Sequence, residues 1–173
     1  MKTNGKKFAI RTAIFLAATM ALNSGFASYA AVTLTLDQKK QLQFLVEEEK
    51  LARDVYNYFA TNVTSRKFAN IAKSEQTHMT YIANLLKTYR VYNPAATTKP
   101  GVFRNADLQR LYNELIASGK VGISEAFAAG KLIEETDIAD LQKDLASNMP
   151  ADIQAALETL LRGSQNHLAA FTR

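Results

Sequence analysis

The amino-acid sequence predicts an all-α fold: an antiparallel four-helix bundle with a short extra helix between its second and third long helices. Three observations carry this. From Asp37 onward the apolar residues recur at steps of three and four, and no alternating apolar run reads as a strand. No glycine lies between Asp37 and Pro100, so two long helices can run there without a flexible interruption. The breakers that follow (Pro94, Pro100, Gly101, Gly119, Gly122 and Pro150) divide the remainder into helix-length pieces.

The first 30 residues belong to a different class. Lys2, Lys6, Lys7 and Arg11 make a positive start, and Ala13 to Leu22 is an apolar run broken only by Thr19. Small residues follow, with Ser28-Tyr29-Ala30 as the best cleavage triplet. The stretch reads as a secretory signal peptide, which makes 1–30 the leader and 31–173 the mature domain. Its apolar run is shorter than the roughly 20 residues that span a bilayer, so no membrane span is expected after cleavage. The expected location is outside the cytoplasm, periplasmic or secreted.

Val32 to Leu36 is a short β-prone tail. The first long helix is expected from Asp37 to Thr61 and the second from Arg66 to Arg90. Tyr92 to Val102, with two prolines, is the longest loop. It would form a docking patch only if Tyr92 and Phe103 were exposed together. The short helix runs from Ala106 to Ser118, ended by Gly119 and Gly122. Ser124 is expected to cap the third long helix, to Asn148, with Gly130 as a point of kinking. Pro150 belongs in the first turn of the last helix, which reaches Phe171.

Taking the four leader cations from the 21 Lys+Arg leaves 17 basic residues against 16 acidic, a net charge of +1. The chain's basic balance therefore sits in the leader, and no nucleic-acid partner is expected. There is no cysteine, which excludes disulfides, thiol catalysis and iron–sulfur clusters.

The chemistry lies inside the core-facing stripes. The first helix presents Leu42, Leu45, Glu49, Ala52, Tyr56 and Phe59, and the second Phe68, Ile71, Glu75, His78, Ile82 and Leu85. The third presents Phe127, Lys131, Glu134, Ile138 and Leu141, and the fourth Ile153, Leu157, Leu160, Ser164, His167 and Phe171. Each stripe is apolar except for a few positions, and both histidines of the chain fall on one. A lone buried carboxylate costs several kcal/mol, so a core pairs it, protonates it or gives it to a metal. Glu75 and His78 lie three apart, neighbours on one helix face, and can hold one divalent ion jointly. Without a metal, Arg162 and Lys131 could neutralise the cluster. Glu47 and Glu48 read as a solvated face, and Tyr56 and Tyr58 as packing.

The run Glu49-Lys-Leu-Ala-Arg-Asp-Val-Tyr56-Asn-Tyr58-Phe59-Ala60 resembles the first ligand helix of rubrerythrins, and Phe68 to His78 resembles their second. More closely, Leu42 to Phe171 resembles a ferritin-like family of unknown function, domain of unknown function 2202. The runs Glu-Glu-Lys-Leu-Ala-Arg-Asp-Val-Tyr, Glu-Gln-Thr-His-Met, Asp-Ile-Ala-Asp-Leu and Asn-His-Leu-x-x-Phe carry that resemblance in order. It implies a ferritin-like bundle with a di-iron-type centre, with manganese or zinc as alternatives, and Fe(II) oxidation by oxygen or peroxide. By analogy the metal ligands are Glu49, Glu75, His78, Glu134 and His167. Glu75 would bridge, and Ser164 stands where the second bridging carboxylate is expected. Asp137, one turn after Glu134, is the residue that can fill that gap, and Glu135 replaces Glu134 if the helix phase is off by one. The missing carboxylate at Ser164 supports an alternative, a non-catalytic exported bundle that binds a partner or a single metal. Association as a homodimer is left open.

Overall fold

The computed structural model describes residues 33–173, so the leader reading of residues 1–30 and the start of the tail at Val32 lie outside the described residues. Five helices make up the described part: α1 Leu36–Asn62, α2 Arg66–Thr88, α3 Ala106–Gly119, α4 Ile123–Leu145 and α5 Ala151–Phe171. No strand occurs among the described residues.

Local chemistry sets the helix ends. Thr35 caps α1 through a capping box with Gln38, in which each side chain takes the other's backbone N–H. Ser65 caps α2 and Asn105 caps α3. At the end of α2, Arg90 adopts a left-handed φ of 54°, and Val91 N–H reaches back to Leu86 C=O at 2.8 Å. This is a Schellman turn made without glycine. Two expectations fail here. Gly122, not Ser124, precedes α4, and no side chain caps it. Gly130 does not split that helix, which runs unbroken; its missing Cβ makes room for the Phe171 ring, whose atoms lie 2.7–2.9 Å from where a Cβ would stand. Pro150 sits one position ahead of α5, at its N-cap.

Long-range contacts give the direction of each helix. Along α1 and α2, Tyr56 meets Phe68, Arg53 meets Gln76 and Glu49 meets His78, so the two run oppositely. Along α4 and α5, Gly130 meets Phe171, Glu134 meets His167 and Asp137 meets Ser164. Tyr56 touches Gly130 and Glu134, while Glu48 lies beside Asp137, so α1 and α4 are antiparallel as well. Two helices each antiparallel to α1 must be parallel to one another. The segment from Tyr89 to Gly122, which includes α3, therefore returns the chain along the length of the bundle between α2 and α4.

The core falls into two apolar halves. One is aromatic, built around Tyr56, Phe59, Phe68, Phe103 and Phe171. The other is aliphatic, built around Leu42, Leu45, Ile82, Leu86, Leu157 and Leu160. Each of these side chains stabilises the fold by about 1.5–3 kcal/mol through burial. Phe103 belongs to the aromatic half while Tyr92 is 55% exposed, so the two make no common surface patch. The carboxylates and imidazoles of the stripes lie between the halves.

Candidate metal centre

Glu49 on α1, Glu75 and His78 on α2, Glu134 on α4 and His167 on α5 are all buried, at 1–8% exposure. The helical period that buries Leu42 and Leu45 on α1 carries Glu49 inward next, and the same holds for the other stripes. His78 Nδ1 lies 2.9 Å from Glu75 Oε2 and 3.3 Å from Glu49 Oε2. His167 Nδ1 lies 2.7 Å from Glu75 Oε1 and 3.6 Å from Glu134 Oε2. Glu75 thus offers one oxygen to each imidazole. The two rings stack at 5.6 Å between centroids.

These contacts are short, yet they are not aligned as hydrogen bonds. Glu49 Oε1, Glu75 Oε1, His78 Nδ1, Asp137 Oδ1 and His167 Nδ1 are buried without a hydrogen-bond partner. A native core rarely leaves so many polar atoms unsatisfied in one place. Four of these five residues converge, and Glu134 joins them: one donor each from Glu49, Glu75 and His78 lie within 4.8 Å of one another, and so do donors from Glu75, Glu134 and His167. Each group has the composition and spacing to hold a metal ion, and Glu75 belongs to both.

Burial and mutual charge shift the protonation of every member. Burial opposes charge on His78, but Glu49 and Glu75 outweigh it and push its pKa up to about 10. His167 rises to about 9 against its own burial, through Glu134 and Glu75. Glu75 is held down at about 2, because the two imidazoles overcome its burial. Burial lifts Glu134 to about 7, with His167 and Tyr56 opposing the rise. Burial, then the charge of Asp137, raises Glu49 well above the usual carboxylate range.

The other residues named from the sequence sort clearly. Asp137 is half-buried and stands outside both groups; its Oδ2 accepts the Ser164 hydroxyl, and burial raises its pKa to about 7. Glu135 is exposed, 3.6 Å from Lys131, so the phase that selects Glu134 holds. Lys131 therefore leaves the core stripe, and Arg162 pairs with Glu158 at the surface. Neither cation reaches the cluster. Glu47 is no solvated residue: it is 3% exposed and accepts the backbone N–H groups of Arg104 and Asn105 at 2.6 and 3.1 Å.

Sequence reasoning also missed the part of Tyr56. Its hydroxyl donates to Glu134 Oε1 at 2.6 Å and fixes that carboxylate from the opposite side to His167. The spacing placed Tyr56 in the core, but nothing in the local sequence pairs it with a residue on α4.

Among the described residues no helix is long and apolar enough to cross a membrane. The chain is 40% identical over 137 residues to the uncharacterised protein MJ0754 of Methanocaldococcus jannaschii, covering 79% of this chain and 74% of that protein. It is also similar to the crystal structure of hypothetical protein MJ0754 from Methanococcus jannaschii, with a TM-score of 0.79 and 38% identity over 84% of this chain and 83% of the other. Residues 38–173 match the family described as an uncharacterised protein domain, DUF2202, and the chain belongs to that family.

Proposed function

We propose that the chain is an exported ferritin-like protein that binds two iron ions between the apolar halves of its core and oxidises Fe(II) with oxygen or peroxide. One ion is held by Glu49, Glu75 and His78, the other by Glu75, Glu134 and His167. The observation that carries this reading is the convergence of buried ligand-type side chains from four helices, with atoms of Glu49, Glu75, His78 and His167 left without a hydrogen-bond partner. Charge pairing would have aligned them as hydrogen bonds; shared coordination needs only that they converge. A carboxylate-rich set with imidazole suits iron, and also manganese or zinc. One long crossover between two pairs of antiparallel helices is the layout of ferritin-like bundles, an analogy that supports the chemistry without deriving it.

When bound, such a pair of ions supplies the electrons that reduce the oxidant. The chain's own residues do the rest. Glu75 turns one oxygen toward each histidine, so a single side chain sets the spacing of both positions. Tyr56 holds Glu134 in place, and the flanking Phe and Leu side chains exclude bulk water.

The shared carboxylate provides the test. Protein loaded anaerobically with Fe(II) is expected to hold two ions per chain and to consume oxygen when air is admitted. Glu75→Gln should lose both ions, whereas His78→Ala should keep one. Absence of Fe(II) uptake by the natural chain, or two ions retained by Glu75→Gln, refutes the reading.

A further inference from the structure

Asp137 lies on the inward stripe of α4, three residues after Glu134 and four before the fully buried Leu141. The helices α2 and α4 each pack against α1 and α5, so they face one another across the core. Asp137 and the α2 pair Glu75 and His78 therefore come from opposite sides. Two contacts fix its level along the bundle. Its Oδ2 accepts the hydroxyl of Ser164, a buried residue of α5. The residue before Ser164, Gly163, lies against the edge of the His78 ring. Asp137, Ser164 and His78 thus share one level, with Glu134 and His167 about one turn away. The charges agree: Asp137 acts on Glu49 more strongly than Glu75 does, and Asp137 itself feels His78 more than His167. The ligand group at this level, Glu49, Glu75 and His78, draws on α1 and α2 alone. Asp137 also keeps an unused oxygen: its Oδ1 is buried without a hydrogen-bond partner, as are Glu49 Oε1 and His78 Nδ1.

We propose that Asp137 is the fourth ligand of the ion held by Glu49, Glu75 and His78, giving its unpartnered Oδ1 from α4 while Ser164 orients it through Oδ2. This assignment rests on the two-ion reading above. Charge counting favours it. Two divalent ions bring four positive charges, Glu49, Glu75 and Glu134 supply three negative ones, and neutral imidazoles none. An unbalanced charge in a core is strongly unfavourable, and Asp137 closes the count. A fourth protein ligand also suits the coordination number of a transition metal better than three. Asp137 stands outside both ligand groups, so its side chain must rotate to close on the ion. The Ser164 hydroxyl also lies 3.0 Å from the Leu160 carbonyl, so it keeps an acceptor while Asp137 turns.

Zn(II) titration of the full chain, with diffraction at the zinc absorption edge from crystals of the loaded protein, tests this. An Asp137 oxygen is expected at about 2.0–2.2 Å from the ion beside Glu49 and His78. Asn in place of Asp137 still accepts from Ser164, so Asp137→Asn keeps the packing and removes only the charged oxygen. In His167→Ala, which leaves the Glu49–Glu75–His78 position intact, adding Asp137→Asn should weaken Zn(II) binding by about tenfold or more. In His78→Ala, which leaves the other position, the same change should keep affinity within about threefold. Glu135→Gln, an exposed acid on α4, should bind as the natural chain does. Equal Zn(II) affinity with and without the Asp137 carboxylate in His167→Ala would overturn the assignment. So would an ion seated on Glu49, Glu75 and His78 with Asp137 beyond bonding distance. A natural chain that takes up no Zn(II) overturns the assignment and the two-ion reading together, whereas two ions bound with Asp137 uncoordinated overturn only the assignment.

Discussion

Gly163 is where the α5 backbone yields to the His78 ring of the candidate centre. A Cβ placed there would lie 2.4 Å from Cε1 and Nε2 of His78, closer than any side chain tolerates. Gly163→Ala is therefore expected to turn the His78 ring away from Glu49 and Glu75. The ion on that side should bind at least tenfold more weakly, with a stability loss of about 1–3 kcal/mol from overpacking. Metal titration would show it, with the Glu134–His167 side still filling; two ions bound at natural affinity would refute it. Glu49, Glu75, His78, Glu134 and His167 were all legible in the sequence, because a charged residue at a core-stripe position announces itself through period alone. Gly163 was not. Its role depends on a ring from α2 crossing its face, and nothing near Gly163 in the chain encodes that ring.

At the scale of the element, the middle of α1 sends its charged side chains to three separate tasks. Glu49 faces the centre, Glu47 takes the backbone N–H groups that lead into α3, and Lys50 with Asp54 fastens the long loop. Lys50 is fully buried; its Nζ donates to Asp54 at 2.6 Å and to the carbonyls of Lys99 and Val102 at 2.9 and 3.1 Å. Asp54 also accepts from Gly101 N–H and from Arg53. Lys50→Met removes the ammonium and strands two loop carbonyls, so it should cost about 3 kcal/mol, the lower end for a broken buried pair because Arg53 still serves Asp54. Urea unfolding gives the cost. Amide exchange should quicken around Lys99 to Asn105, and unchanged protection there would refute the clasp. Helix periods were legible from the sequence, and so was the inward turn of Glu49. The loop partners of Glu47, Lys50 and Asp54 were not, because they are backbone atoms far along the chain. A run of charges reads as solvated until that loop is in place.

The whole molecule places a highly charged cluster between two apolar halves, and this couples its stability to both pH and metal. With no metal bound, His78 at about 10, His167 at about 9, and Glu134 and Asp137 at about 7 all titrate above their ordinary values. A group whose pKa is raised by folding holds more protons folded than unfolded. The stability it lends is full below its unfolded pKa and is lost as pH climbs through the folded one. Metal-free protein should therefore lose on the order of several kcal/mol between about pH 6 and pH 9. Glu75, held at about 2, acts in the opposite sense, but only as pH falls below the ordinary carboxylate range, outside this window. A bound metal replaces the protons, so ion uptake at pH 7 must expel them. Both histidines are protonated at that pH without metal, which sets the release at about two protons per chain or more. Titration calorimetry with Zn(II) in two buffers of different ionisation enthalpy counts these protons, and thermal melts at pH 6 and pH 9 follow the stability. The metal-free melting temperature should fall from pH 6 to pH 9 while that of the loaded protein holds, so the gap between them widens. A metal-free protein that grows more stable over that range, or uptake that expels no proton, would mean the imidazoles are neutral before loading and that the carboxylates around them do not form one charged cluster.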